Sequence, residues 1–216
     1  MKYRTILFDL DGTLLDTLED LAAAVNHALA LRGLPLHELT EYRRMVGHGV
    51  RNLVTQALPP EQQSDEAFID ACLADFKSYY TLHIADRTRP YPGMHALLQD
   101  LQAQGASLAI VSNKFQEGTE ILIRDLFPDI RFVAVLGNRE GYPLKPSPEI
   151  VGEVLRRSGC TRGQAVMVGD SHTDMQTAAN GGIRGIAVNW GYRPMRGNTD
   201  ANVAETPTEL RKLLGL

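Results

Sequence analysis

Apolar residues recur along this chain with two different periods. Between Arg4 and Phe8 they form a short, partly β-branched run that stops at Asp9, which predicts a buried strand with acidic groups at its C-terminal end. From Thr17 to about Asp86 the spacing becomes helical: Leu18, Leu21, Val25 and Leu29 make one stripe, and Phe68, Ile69, Cys72, Leu73, Phe76 and Tyr80 make another. No strand pattern interrupts that stretch.

Pro90-Tyr91-Pro92-Gly93 is a breaker cluster, read as a hinge, and beyond it strand and helix patterns alternate. The spacing predicts strands over Ser107 to Val111, Arg131 to Val135, Ala165 to Val168 and Gly185 to Val188. Helices are predicted around Met94 to Gln104, Gly118 to Phe127, Ser147 to Ser158 and Asp174 to Asn180. Ser147-Pro148 supplies an N-cap with proline at the first helical position, and Asn180-Gly181-Gly182 a helix stop. Strands separated by single helices predict βαβ units, hence an α/β fold with a central parallel sheet covered on both faces. Residues 17–86 then read as a helical cap inserted after the first strand, leaving 1–16 and 87–216 for the core. No repeat, low-complexity segment or disordered tail is assigned.

Composition narrows the function classes. With 216 residues, 44% of them apolar, and a net charge of −4, the chain can bury one core plus an accessory domain. Positive and negative side chains are mixed, without the basic stripe that a nucleic-acid backbone requires, so nucleic acid is not expected as a partner. Cys72 and Cys160 stand far apart without neighbouring ligands, so both read as core residues rather than as a disulfide or zinc site. The first apolar run is too short, and too soon followed by Asp11, for a signal peptide or a membrane span. A cytoplasmic protein without a membrane partner, monomeric or homodimeric, is the expectation.

Open parallel sheets bind ligands outside the carboxyl ends of their strands, so chemistry is sought just after each predicted strand. There the chain places Asp9-Leu10-Asp11-Gly12-Thr13, then Ser112-Asn113, then Gly169-Asp170-Ser171-His172-Thr173-Asp174, with Lys145-Pro146 ahead of a helix. Four carboxylates gathered in one crevice repel one another unless a cation intervenes, and an all-oxygen set without Cys or His suits Mg²⁺. Phosphoryl transfer needs such a cation, a nucleophile, hydrogen-bond donors for the phosphoryl oxygens and an acid for the leaving oxygen. Asp9 can attack, Asp11 can serve as acid and base, and Lys145 can neutralise a phosphoryl charge. Gly12 admits the phosphate to the backbone, and Ser112 and Asn113 offer neutral donors.

These four groups, in this order and spacing, resemble the four signatures of the haloacid dehalogenase superfamily over essentially the whole chain, with the insertion resembling its small helical cap. The resemblance implies a Rossmann-like, three-layer core with the Asp9 strand central, and an aspartyl-phosphate intermediate formed on Asp9. It implies metal ligation by Asp9, Asp170 and the backbone carbonyl of Asp11, with Asp174 supporting the metal through water or holding Lys145. Phosphate contacts fall to Leu10, Gly12, Thr13, Ser112, Asn113 and Lys145. Val46-Gly47-His48-Gly49-Val50-Arg51 and Tyr91-Pro92-Gly93 are most similar to phosphoglycolate phosphatases, so a Mg²⁺-dependent hydrolase of a small phosphate ester is the expected activity.

Plainer readings stand beside these. Asp174 can cap its helix, Ser112-Asn113 can be a capping pair, and Arg51 can pair with a cap glutamate instead of clamping substrate. His172 and His48 have no assigned role, with His172 read as a loop residue and Trp190 as packing. Rival activities are a phosphomutase of the β-phosphoglucomutase type, a pyrophosphatase or nucleotidase, a dehalogenase and a signalling receiver module. Asp11 argues against the dehalogenase, which has no alkoxide to protonate, and the long insertion argues against the receiver.

Overall fold

The computed structural model describes residues 1–193 and 202–216. Strand β1 (Thr5–Phe8) lies at the centre of a parallel sheet whose other strands are β4 (Ser107–Phe115), β5 (Phe132–Asn138), β6 (Ala165–Gly169), β7 (Arg184–Val188) and β8 (Asn202–Ala204). Their order is β5-β4-β1-β6-β7-β8, and every neighbouring pair is parallel. The chain winds outward from β1 through β4 to β5, then returns to the other side of β1. That reversal puts a topological switch point, and with it a crevice, at the C-terminal end of β1.

Alternation along the strands explains the layers. Ile6, Phe8, Leu108, Ile110, Val166 and Val168 point into one apolar cluster, while Leu7, Ala109, Val111, Ala165 and Met167 point into a second. Both faces are therefore dry, as a parallel sheet requires. Helices α5 (Met94–Ala103), α6 (Gln116–Leu126) and α9 (Pro207–Leu214) contribute to the first cluster, and α7 (Glu149–Ser158) and α8 (His172–Asn180) to the second.

Four helices fill the insertion: α1 (Leu18–Ala30), α2 (Leu39–Met45), α3 (Val50–Ala57) and α4 (Glu66–His83). Their inward stripes, among them Leu21, Val25, Leu53, Ile69, Phe76 and Tyr80, are buried and continuous with the first core cluster. The insertion leaves and rejoins the core through a two-stranded antiparallel ribbon of β2 (Leu15–Asp16) and β3 (Arg89–Pro90). Asp20, in the first turn of α1, fastens this ribbon. Its buried carboxylate accepts from the backbone N–H groups of Arg87 and Thr88 and from the Thr88 hydroxyl at 2.7–3.1 Å.

Some local expectations are corrected. Helix α7 begins at Glu149 with Pro148 at its N-cap, so Ser147 is not the cap; its hydroxyl is drawn instead to the Glu149 carboxylate. His172 opens α8 instead of lying in a loop, because Ser171 caps that helix and lets it begin two residues before Asp174. Strand β4 runs four residues beyond Val111, with an irregular register there, so Ser112 and Asn113 belong to the strand and not to a helix cap. Strand β8 and helix α9 lie outside the predicted elements, although Thr206 caps α9 with Pro207 at its start.

Candidate active site

The crevice at the end of β1 is lined by both domains. Asp9, Asp11, Ser112, Asn113, Lys114, Lys145, Asp170, Ser171, Tyr192 and Arg193 come from the core, and Leu21, Val46, Gly47, Gly49, Val50 and Leu53 from the insertion. The space between them, about 530 Å³ with its solvent-open part included, lies directly above the end of β1.

Its floor is a charged cluster. Oxygens of Asp9, Asp170 and Asp174 lie within 4.8 Å of one another, and all three residues are buried. Lys145 Nζ donates to Asp9 Oδ1 at 2.8 Å and to Asp174 Oδ1 at 2.7 Å. Asp174 therefore satisfies two readings at once. Its other oxygen accepts from the backbone and hydroxyl of Ser171 in a capping box at the start of α8, while Oδ1 holds the lysine.

Lys145 owes its place to Asn113. The Asn113 side chain accepts from the Lys145 N–H at 2.8 Å and donates to the Lys145 carbonyl at 3.2 Å, and also to the Gly47 carbonyl of the insertion at 3.2 Å. Its amide is thus a clamp between β4, the lysine loop and the cap. Ser112 lines the crevice, with its hydroxyl accepting from the Lys114 N–H at 3.3 Å.

Burial and like charge dominate the electrostatics. Burial, followed by repulsion from Asp174, pushes the Asp9 carboxyl up to about 8 against the pull of Lys145. The same two causes push Asp170 up to about 7, opposed by backbone N–H donors of Tyr192 and Arg193. Burial alone pulls Lys145 down, yet the Asp174 and Asp9 carboxylates outweigh it and hold the lysine above its ordinary value. One ammonium does not balance three carboxylates. A hard divalent cation does, and the oxygen-only donor set fits one.

Backbone shape lets the groups meet. Gly12 has φ +85°, and a Cβ there meets Asp170 Oδ2 at 2.5 Å, so a side chain at this position displaces the acid. Gly49, also at φ +85°, brings the cap loop against the core, its Cβ position 3.5 Å from the Asn113 carbonyl.

The other candidate residues are placed as follows. Asp11 lines the crevice, but its side chain is turned toward the hinge: Oδ1 accepts from Thr17 Oγ1 at 2.8 Å and from Lys114 Nζ at 3.2 Å, outside the three-acid cluster. The Leu10 N–H donates to Asp9 Oδ1 at 2.7 Å, and the Gly12 N–H to the Leu15 carbonyl. Thr13 is fully buried beneath the site, its hydroxyl without a hydrogen-bond partner among the described residues. Arg51 lies on the outer surface of the cap, where its guanidinium pairs with Glu66 and Asp70, and it does not line the crevice.

Sequence reasoning missed several residues here. Lys114 is the residue directly after Ser112-Asn113, and it turns inward because β4 continues. Tyr192 lies four residues beyond the end of β7, in the same loop as Trp190. Its N–H donates to Asp170 Oδ2 at 2.7 Å, and its hydroxyl accepts from the Thr17 N–H at 2.6 Å, joining the acid cluster to the hinge. Trp190 packs beside Tyr91 and also donates to the Thr13 carbonyl at 3.1 Å. Arg193 reaches the cap, with Nη2 donating to the Arg44 carbonyl at 2.6 Å and Nη1 lying 3.0 Å from His48 Nε2.

Known proteins share this architecture. The family model of haloacid dehalogenase-like hydrolases matches residues 6–188. A phosphoglycolate phosphatase of Mesorhizobium japonicum is 39% identical over 206 residues, 95% of this chain and 88% of that protein. One of Pseudomonas syringae pv. syringae is 33% identical, over 98% of this chain and 78% of its own. A crystal structure from Lactobacillus delbrueckii subsp. bulgaricus, 32% identical, superposes with a TM-score of 0.91 over 99% of both chains. CbbY of Rhodobacter sphaeroides, solved with phosphate, shares the fold at a TM-score of 0.77 and 23% identity over 93% of this chain and 92% of its own.

Proposed function

The chain belongs to the haloacid dehalogenase-like hydrolases, and on that premise we propose that it is a Mg²⁺-dependent phosphatase of small phosphate monoesters, with phosphoglycolate as its substrate. The observation that carries the reading is the convergence of Asp9, Asp170, Asp174 and Lys145 at the end of β1, under a cap that closes a small crevice.

Asp9 and Asp170 are the residues to hold the metal, with the Asp11 carbonyl as a further ligand; when bound, Mg²⁺ neutralises the acids and the phosphate oxygens. Lys145 and the Asn113 clamp keep one Asp9 oxygen engaged, so the other is the attacking atom. That oxygen forms a bond to phosphorus as the bond from phosphorus to the leaving oxygen breaks, giving an aspartyl phosphate. Asp11 supplies a proton to the departing alkoxide, which requires its carboxylate to turn from Thr17 and Lys114 toward the crevice. Water then attacks phosphorus, Asp11 takes its proton, and phosphate leaves with Asp9 restored. The apolar cap lining, Leu21, Val46, Val50 and Leu53, keeps bulk water from the intermediate.

A phosphomutase needs a second phosphate site in the cap, and Arg51, the residue that suggested one, is engaged outside the crevice. The reaction uses free metabolites, and a cytoplasmic setting suits it. The test is phosphate release with Mg²⁺ from phosphoglycolate, pyrophosphate, nucleoside monophosphates and hexose phosphates. Phosphoglycolate is expected to lead in kcat/KM; a nucleotide in that position replaces the substrate assignment, and no release from any ester ends the phosphatase reading.

A further inference from the structure

The crevice contains a cation that this chemistry leaves unused. Lys114 is wholly buried in its side chain yet lines the same space as Asp9 and Asp170. Its ammonium bridges the two domains: Nζ donates to Asp11 at 3.2 and 3.4 Å in the core, and to the Tyr80 hydroxyl of α4 at 2.7 Å in the cap. Tyr80 is itself fully buried, with its ring stacked on Phe76. An ammonium in such surroundings is stable only while its donors meet acceptors, above all an anion.

The other cations of the crevice are engaged. Lys145 holds Asp9 and Asp174, and Arg193 is drawn to the Arg44 carbonyl and His48. The insertion's share of the lining includes the apolar Leu21, Val50 and Leu53. When Asp11 swings to the leaving oxygen, it gives up its hold on Lys114. Nζ then keeps the Tyr80 hydroxyl but no anionic partner.

We propose that the substrate supplies that partner: Lys114, with the Tyr80 hydroxyl, receives an anionic group of the leaving alcohol, so the site selects phosphate esters of short hydroxy acids over those of neutral alcohols. In the resting arrangement Nζ and the Asp11 carboxylate are in contact at 3.2 Å, and Asp11 reaches the leaving oxygen by a turn of its own short side chain, so on this proposal the anion lies within a few bonds of that oxygen. A carboxylate on the adjacent carbon meets this requirement and makes charge-assisted hydrogen bonds to Nζ. A neutral ester of equal length leaves the ammonium unpaired, and a site built around such a bond rejects the analogue lacking it by on the order of a hundredfold or more. The proposal rests on the phosphatase reading above.

The test compares wild type and Lys114→Met on phosphoglycolate and on ethyl phosphate, which has the same two carbons and no carboxylate. The ratio of their kcat/KM values, about a hundredfold in wild type, is expected to collapse to within a few-fold in the variant, chiefly through KM for phosphoglycolate. Tyr80→Phe, which removes only the hydroxyl, is expected to lower the ratio about fivefold, and it carries the test should the methionine variant not fold. Calorimetric binding of phosphoglycolate to Asp9→Asn is expected to weaken at least about tenfold when Lys114→Met is added. Wild type favouring phosphoglycolate with a ratio that neither variant alters overturns the proposal and leaves the phosphatase reading intact. Equal losses on both esters also overturn it, making Lys114 a positioning partner of Asp11. Release from neither ester by wild type overturns the proposal, and it is the wider panel of esters, if none of them is hydrolysed either, that fails the phosphatase reading.

Discussion

The floor and the roof of the crevice are built on opposite principles. On the floor, Asp9, Asp170, Asp174 and Lys145 are buried side by side at strand and helix ends, each fixed by backbone or side-chain hydrogen bonds. The roof offers Leu21, Val46, Val50 and Leu53 together with the glycine-rich turn Gly47-His48-Gly49, with little charge of its own. On the proposed function the lesson is one of division: the sheet would carry the electrostatics of bond breaking, and the helical insertion would exclude water and shape the space. Lys114 and Tyr80 are where the two regions touch.

The sharpest way to break this contrast is on the floor. Asp9→Asn is expected to reduce phosphate release by roughly a thousandfold or more, measured in single-turnover assays, while removing a carboxylate that burial and Asp174 disfavour. Its melting temperature in EDTA at pH 8 is therefore expected to equal or exceed that of wild type; a clear drop contradicts the view of the floor as strained acid.

A second measurement concerns the cation. Asp9 and Asp170 are raised to about 8 and about 7, above the value of about 3.9 for an unfolded aspartate. Groups raised on folding contribute stability that is complete below the unfolded value and is lost as pH rises through the folded one. Without metal, melting temperature is expected to fall from pH 5 toward pH 8.5, and Mg²⁺ to abolish the fall. Because binding displaces protons, Mg²⁺ affinity is expected to rise up to about tenfold per pH unit for each proton released across this range. Affinity flat in pH contradicts the assignment of these acids as ligands.

The smallest effect belongs to the roof's outer surface. Arg51→Ala removes an exposed pairing with Glu66 and Asp70 and is expected to leave kcat/KM within about twofold of wild type. A loss of tenfold or more in steady-state kinetics returns Arg51 to the substrate.

The contrast also explains what was legible in the chain. Lys145 is brought to the strand ends by the Asn113 side chain, whereas residues such as Asp9 and Asp170 follow from local patterns, because the C-terminal ends of parallel strands converge by topology whatever the details of packing. Asp20, Lys114, Tyr80 and Tyr192 do not. Tyr192 meets Thr17 across 175 positions, and Lys114 meets Tyr80 across 34; both contacts depend on how far β4 extends and how the cap seats. Arg51 sits two residues from Gly49 in sequence, yet the turn of α3 sends its side chain to the opposite surface. Strand β8 has only three residues and becomes a strand through its pairing with β7, which no local periodicity announces.

The fastening of the hinge by Asp20 bears on recombination between relatives. One carboxylate near the outgoing connector holds both residues at the start of the returning one, so the insertion hangs from a single joint with two leaves. A chimera that swaps the insertion has to take position 20 and positions 87–88 from the same parent, because a crossover between them separates an acid from the N–H groups it was shaped to hold.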